Sequence, residues 1–413
     1  MTDSYSEYER KQIAQQEYNA SIHKGLPIKI GSGKNTKLIG TVRQVITDKT
    51  GLNAYVVESP DKKTVSILYK GSEGIGQEGS KVDWIDNDIP MAKNITTATP
   101  KATSQLKSAA KTLNKVLEDY PNAKIDVYGH SLGSMDAQYA LANVSDVNRI
   151  SGAYVYEGPN TYPALTDKQK AKADALKYRI HNYIDPKDFV TLGYVKNTSN
   201  HKFDLNSQNA VGIVYHVDSK SRINPVEQHM WGGYQWNSDG SLQIESDSSA
   251  WENKYSSSLD AVSLGMYNFS TLKSQRKKDG KLSKNETFFL DSVQAGLIAQ
   301  GLVTASETVK SEVETAKKDA VNEAEELFQS TKTAPWGISE LSIDEIQEAF
   351  AGAGVTYDSI VTKVEDHFAK KGSKVDEIAT AYSQLETKIQ TGINDALAAD
   401  SNLAQEFNQW SVQ

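Results

Sequence analysis

The sequence predicts an α/β domain built on a mostly parallel sheet, followed by an all-helical domain of bundled or hairpin helices. Three observations carry that expectation. Strand-like and helix-like runs alternate across residues 38–236, an order that gives a parallel sheet covered by helices on both faces. A tight Gly129-His130-Ser131-Leu132-Gly133 segment joins one of those strands to one of those helices. Near residue 255 the texture changes, and Asn285 to Ser330 is almost free of Gly and Pro but rich in Ala, Glu, Lys and Val. The domains are therefore expected at 1–255 and 256–413.

Taken in order, residues 4–20 read as a polar helix. GLPIKIGSGKNTK after it reads as a loop and contains GSGKNT, but the first glycine of a phosphate-binding G-x-x-x-x-G-K-[ST] loop would fall on Ile28, so that reading fails. Residues 38–46, 52–58 and 64–69 alternate as strands. Lys70-Gly71-Ser72 and a long glycine-rich, acidic loop, 73–90, follow the third. Leu106 to Leu117 places apolar residues at 106, 109/110, 113 and 116/117, the spacing of an amphipathic helix. Strands are expected again at 125–128, 150–157, 177–183 and 211–217, with a solvated helix over TDKQKAKADALK.

In the second domain, Val309, Val313, Ala316, Ala320, Ala324 and Leu327 keep helical spacing. Ser342 to Glu345 reads as a capping box. A helix carrying Tyr357, Ile360, Val364 and Phe368 is expected to break at KKGSK. A further helix then bears the stripe Val375, Ile378, Tyr382, Leu385, Ile389, Ile393 and Ala396. That stripe serves first as core, and a spare face for a partner helix is the sharper reading.

Composition narrows the function. The chain has 413 residues, 38% hydrophobic and 24% charged, which is material able to bury a core. A net charge of -8 argues against nucleic acid as the partner. With no cysteine there is no disulfide, thiol catalysis or cysteine-held zinc, and no cofactor or metal is expected. No apolar run approaches the ~18 residues of a membrane span. The polar N-terminus is unlike a cleavable signal peptide, so the expectation is a cytoplasmic protein or one exported by a non-Sec route.

Gly129 to Gly133 has the form of the nucleophile elbow of α/β-hydrolases. The two glycines leave room for a strand-to-helix turn too tight for side chains, which holds Ser131 in a strained conformation above the sheet edge. The Leu132 N–H then points at the oxygen that Ser131 attacks. The serine needs a base, and the base an orienting acid, in the chain order serine, acid, histidine. His23 precedes the elbow, His130 points away from Oγ, His181 is mid-strand, His201 is in a polar loop and His367 is in the helical region. His229, in a loop after the last strand, is the favoured base, with His216 next. Asp188 is favoured over Asp185 as the acid. The loop after the third strand should supply a second oxyanion donor, at Ser72, and residues 73–90 an apolar cover.

Lys70-Gly71-Ser72, Asp83-Trp84, the Val127 to Gly133 segment, Asp188-x-Val and a late His229 with Tyr234 resemble the lipase class 3 family. Lys70 stands where that family has arginine. The resemblance covers roughly residues 38–236. It implies Ser131 as nucleophile, Asp188 and His229 as its partners, Ser72 with Leu132 as oxyanion hole, and ester hydrolysis on lipid or phospholipid without a metal. A lipase followed by a cysteine-free helical tail also resembles Gram-positive type VII secreted lipase effectors. Their tail is a reversed LXG-type targeting domain that binds small helical WXG-like proteins. That likeness implies an antibacterial or host-directed role, with an immunity protein among the partners. Trp336-Gly337 and Tyr5-x-x-x-Glu9 echo secretion signals only faintly. The rival readings are an esterase or peptidase for small substrates on the same triad, and a catalytically dead hydrolase fused to a helical scaffold.

Overall fold

The computed structural model describes residues 5–72, 101–188, 190–191, 193–194, 209–245, 256–278, 280, 282–333 and 341–399. The chain separates into two compact units, Met1–Asn268 and Phe269–Gln413. The first opens with α1 (Glu7–Gln15), whose Ser6 N-cap and Glu9 form a reciprocal capping box, and continues through a 3-10 turn, Gln16–Tyr18.

Among the described residues, eight strands form one sheet in sequential order. They are β1 (Pro27–Ile30), β2 (Lys37–Thr47), β3 (Asn53–Glu58), β4 (Thr64–Tyr69), β5 (Lys124–His130), β6 (Ile150–Tyr156), β7 (Ile180–Ile184) and β8 (Ile213–His216). β1 to β4 pair antiparallel because short turns join them. From β4 to β8 every pairing is parallel. Helical crossovers supply that direction for the middle pairs: α2 (Ser104–Asp119), α3 (Leu132–Ala142) and α4 (Asp167–Ala175).

Side-chain alternation along the strands splits the core in two. Ile125 and Val127 of β5, Ile67 of β4 and Val155 of β6 pack on one face with Leu106 and Leu113 of α2 and Met135 of α3. Tyr128, Tyr156, Tyr183 and Tyr215 pack on the other with Ile13 of α1 and Trp231. Rings on neighbouring strands stack there: Tyr156 on Tyr183 at 5.1 Å and Tyr183 on Tyr215 at 4.8 Å. These cross-strand pairs follow the register directly.

α5 (Ser256–Lys278) spans the break between the units. Its first half belongs to the first unit: Asp260 takes Arg179 through both oxygens at 2.9 Å, and Leu264 and Tyr267 pack on the core.

The second unit is helical. α6 (Lys284–Ser330) and α8 (Lys363–Ala399) run antiparallel, since Lys310 pairs with Asp376 at 2.8 Å and Tyr357 donates to Glu325 at 2.6 Å. Between them lie α7 (Ile343–Gly352), with the expected Ser342–Glu345 capping box, and a π turn, Asp358–Thr362. Three expectations are corrected here. Pro27–Ile30, within the stretch expected to be a loop, is strand β1, because β2 gives its backbone a partner. KKGSK does not end a helix: α8 continues through Gly372, because a single glycine costs a helix only ~1 kcal/mol. The stretch Glu286–Ser330 is by length and composition apolar enough to cross a membrane, since an average over a stretch tolerates charges that interrupt a strict apolar run. The 73–90 loop with Asp83 and Trp84, His201, and Trp336-Gly337 lie outside the described residues.

Candidate active site

The site sits at the carboxyl ends of the parallel strands, where an open α/β sheet places its loops. β5 ends in the elbow, and Ser131 adopts φ 56°, ψ -125°, a backbone region rarely tolerated by a residue with a Cβ. The flanking glycines make that possible. A Cβ on Gly129 would collide with the Gly133 carbonyl, and one on Gly133 with the Tyr69 carbonyl of β4. α3 then leaves Ser131 with every residue from Leu132 to Ala142 buried, which anchors the turn.

The structure brings together the three residues expected to form a triad. Ser131 Oγ lies 2.9 Å from His229 Nε2, and His229 Nδ1 lies 2.6 Å from Asp188 Oδ2. Asp188 is buried, while the His229 side chain keeps partial access to solvent. A carboxylate accepts the Nδ1–H, which leaves Nε2 free to accept from the serine hydroxyl.

Each member is held by its own loop. Asp188 Oδ1 accepts the Val190 N–H at 3.0 Å, and the Thr191 hydroxyl donates to the Asp185 and Asp188 carbonyls. His229 lies in an irregular turn, Gln228–Gly232, kinked at Met230 and at Trp231, the latter at φ 61°.

The alternatives fall elsewhere. Asp185 is a buried hub: its Oδ1 accepts the Lys187 N–H at 2.8 Å and the Ser219 hydroxyl at 2.7 Å. Its other oxygen takes the Gln228 amide, next to the base. His216 ends β8, and the imidazole at Ser131 is that of His229.

Gly71 presses against the nucleophile, since a Cβ there would come 3.2 Å from Ser131 Cβ. The buried Ser72 hydroxyl next to it has no hydrogen-bond partner among the described residues. Leu132 opens α3, and the first N–H groups of a helix have no intrahelical acceptor.

Several residues that shape the site escaped sequence reasoning. The fully buried His130 imidazole lies 3.9 Å from the Trp231 ring, and its Nε2 is 2.9 Å from the His229 carbonyl. Burial, with His229 nearby, holds its pKa well below the usual histidine value. Glu157, at φ 50° after β6, is wholly buried; it accepts the Asp185 N–H at 2.8 Å and the Tyr234 hydroxyl. Burial first, then the Asp188 charge, raises its pKa well above the usual carboxyl value. Nothing local marks either residue, and only adjacency to a motif or a strand end could have flagged them.

A mostly parallel sheet with this constellation at its strand ends defines a protein of the α/β-hydrolase fold class. The chain belongs to the Mbeg1-like family, whose family model matches residues 44–260. No curated protein matches the chain. Similar solved structures include a triacylglycerol lipase from Penicillium expansum, 18% identical, covering 51% of this chain and 78% of that one at a TM-score of 0.31. The Rhizomucor miehei lipase propeptide complex is 14% identical over 51% of this chain and 66% of that one, at 0.30. Lip2 lipase from Yarrowia lipolytica is 16% identical over 44% and 71%, at 0.27.

Proposed function

We propose that this chain is a serine-dependent hydrolase of carboxylic esters in lipids, of the lipase or phospholipase A type. The observation that carries the reading is the unbroken chain Ser131 Oγ, His229, Asp188 at 2.9 and 2.6 Å. Ser131 Oγ attacks the acyl carbonyl carbon while His229 Nε2 takes its proton. Asp188 holds the tautomer and then the imidazolium. The N–H groups of Leu132 and Ser72 receive the oxyanion. The imidazolium returns its proton to the leaving alkoxide, giving the alcohol and an acyl-enzyme. Water, deprotonated by His229, then releases the fatty acid and frees Ser131.

A lipid rather than a small ester is favoured by the rim of the site. Ile223 is fully exposed, and Val226 and Met230 are exposed beside it on the loop that carries His229. Apolar side chains bare to water beside a reactive centre suit an acyl chain or a lipid surface.

The test is a fluorophosphonate label with a chain-length series of 4-nitrophenyl esters. Wild type should label at Ser131 and prefer long acyl chains, and Ser131→Ala should do neither. Retention of more than a few per cent of activity by Ser131→Ala excludes it as the nucleophile.

The reading extends to the helical unit as a targeting domain for type VII-like export of an effector, capped by small helical WXG-like proteins and countered by an immunity protein. Support comes from the domain order and from Leu327, Ile378 and Leu385, which stand exposed on α6 and α8. Co-expression with candidate small helical proteins, followed by size exclusion, tests it: a stable monomer that gains nothing from them refutes it.

A further inference from the structure

The family match begins at residue 44, yet two residues well before it reach beneath the site. The 3-10 turn after α1 places Glu17 and Tyr18 against the two loops the reaction uses. Glu17 is wholly buried, and its Oε1 accepts the N–H of Gly71, the residue before Ser72, at 3.3 Å. The Tyr18 hydroxyl lies 2.7 Å from His130 Nδ1, and His130 Nε2 lies 2.9 Å from the His229 carbonyl.

Elementary donor and acceptor rules fix the direction of this chain. A carbonyl only accepts, so the neutral His130 ring carries its hydrogen on Nε2. Nδ1 is then the acceptor and the Tyr18 hydroxyl the donor. The hydrogen of that hydroxyl being committed, its oxygen turns lone pairs outward. The groups facing the Glu17 carboxyl are the Gly71 and His130 amides, the Tyr18 side chain and the Lys70 ammonium. Burial raises the Glu17 pKa well above the usual value, and these neighbours pull it part of the way back.

We propose that Glu17 and Tyr18 are positioning residues for the triad, Glu17 setting the oxyanion loop through Gly71 and Tyr18 setting His229 through the His130 imidazole. Glu17 and Tyr18 are thus working parts of the site although they precede the region the family model matches. The role rests on the hydrolase reading given above.

Three substitutions test it, with a 4-nitrophenyl ester as substrate and the rate of fluorophosphonate labelling as a second readout. Tyr18→Phe keeps the ring against His130 and Trp231 and removes only the donor. Its kcat and labelling rate should each fall about tenfold or more, because a misplacement near 1 Å can cost ~10²-fold. KM and Tm should stay near wild type. Glu17→Gln keeps an acceptor for the Gly71 N–H, so its kcat should stay near wild type, whereas Glu17→Ala should fall as far as Tyr18→Phe. A Tyr18→Phe kcat within twofold of wild type overturns the proposal, as does a Glu17→Gln enzyme as slow as Glu17→Ala. Ser131→Ala is run in parallel. If it is dead and unlabelled while Tyr18→Phe is unaffected, the positioning role alone is overturned. If it stays active, the hydrolase reading fails first.

Discussion

Asp185 and Asp188 stand three residues apart after the same strand, and both are buried, but their partners give them different work. Asp188 faces the imidazole, so Asp188→Asn should favour the wrong tautomer and cost ~10⁴ in kcat with little change in Tm. Asp185 faces the Lys187 amide, Ser219 and Gln228. Asp185→Asn should cost about 1–3 kcal/mol of stability by leaving buried donors mispaired, with a much smaller loss of kcat. Steady-state kinetics beside thermal melts separate the two, and the opposite ranking would reverse the assignment. Glu157 makes a pH prediction. Its folded pKa lies above the ordinary 4.5, so its contribution to stability is full below that value and is lost as pH rises toward the folded pKa. Stability should decline by up to about 1.4 kcal/mol per pH unit per such proton. Glu17 adds a second, its pKa raised by the same burial. Glu157→Gln should flatten the fall of Tm as pH rises above the ordinary 4.5 without abolishing it; an unchanged slope would show that Glu157 is ionised in the fold.

The elements of the site are rigid where the chemistry needs them. The elbow works because β4, β5 and α3 approach too closely for a side chain at Gly133, whose added Cβ would meet the Tyr69 carbonyl and the Lys70 backbone. Gly133→Ala should therefore cost about 1–3 kcal/mol or more and abolish fluorophosphonate labelling, and a normally labelled Gly133→Ala protein would contradict the packing. In α8 the same substitution should have the opposite sign. Gly372 is helical, and a Cβ there meets nothing within 4 Å. Gly372→Ala should stabilise the helical unit by about 1 kcal/mol, measured by chemical denaturation of the whole chain. The expected break at KKGSK failed for the same reason: helix propensity is a small term, and packing of α8 along α6 outweighs one glycine. β1 was missed because its four residues are too few to show a period, while most other elements were legible because strands and helices carry the periods 2 and 3.6 in their apolar residues.

At the scale of the molecule, the first unit extends past the expected 255. The Arg179–Asp260 pair, the Ser263 hydroxyl on the Asp174 carbonyl at 2.8 Å, and Leu264 and Tyr267 on the core tie the first half of α5 to the sheet domain. A chain ending at residue 278 should keep the melting temperature and soluble-ester activity of the first unit. One ending at 255 should melt lower by several degrees, because a partly buried ion pair and apolar surface are lost together. Differential scanning calorimetry of the two truncations decides this, and equal melting temperatures would show that α5 adds nothing to the first unit.

What the sequence determined by itself was whatever is encoded locally. The glycine spacing around Ser131 forces a tight turn, and alternating strands and helices force a mostly parallel sheet. The chain order serine, acid, histidine narrows seven histidines to His229 and several carboxylates to two. The tertiary structure alone decided which atoms meet. Asp188 rather than Asp185 reaches the imidazole because the loop after β7 folds back through Thr191 and Val190. His130, Glu157 and Glu17 acquire roles only when β5, β6 and the N-terminal turn converge on one buried volume. Their partners are 99, 28 and 54 residues away in the chain, and no local pattern records a hydrogen bond closed over that distance.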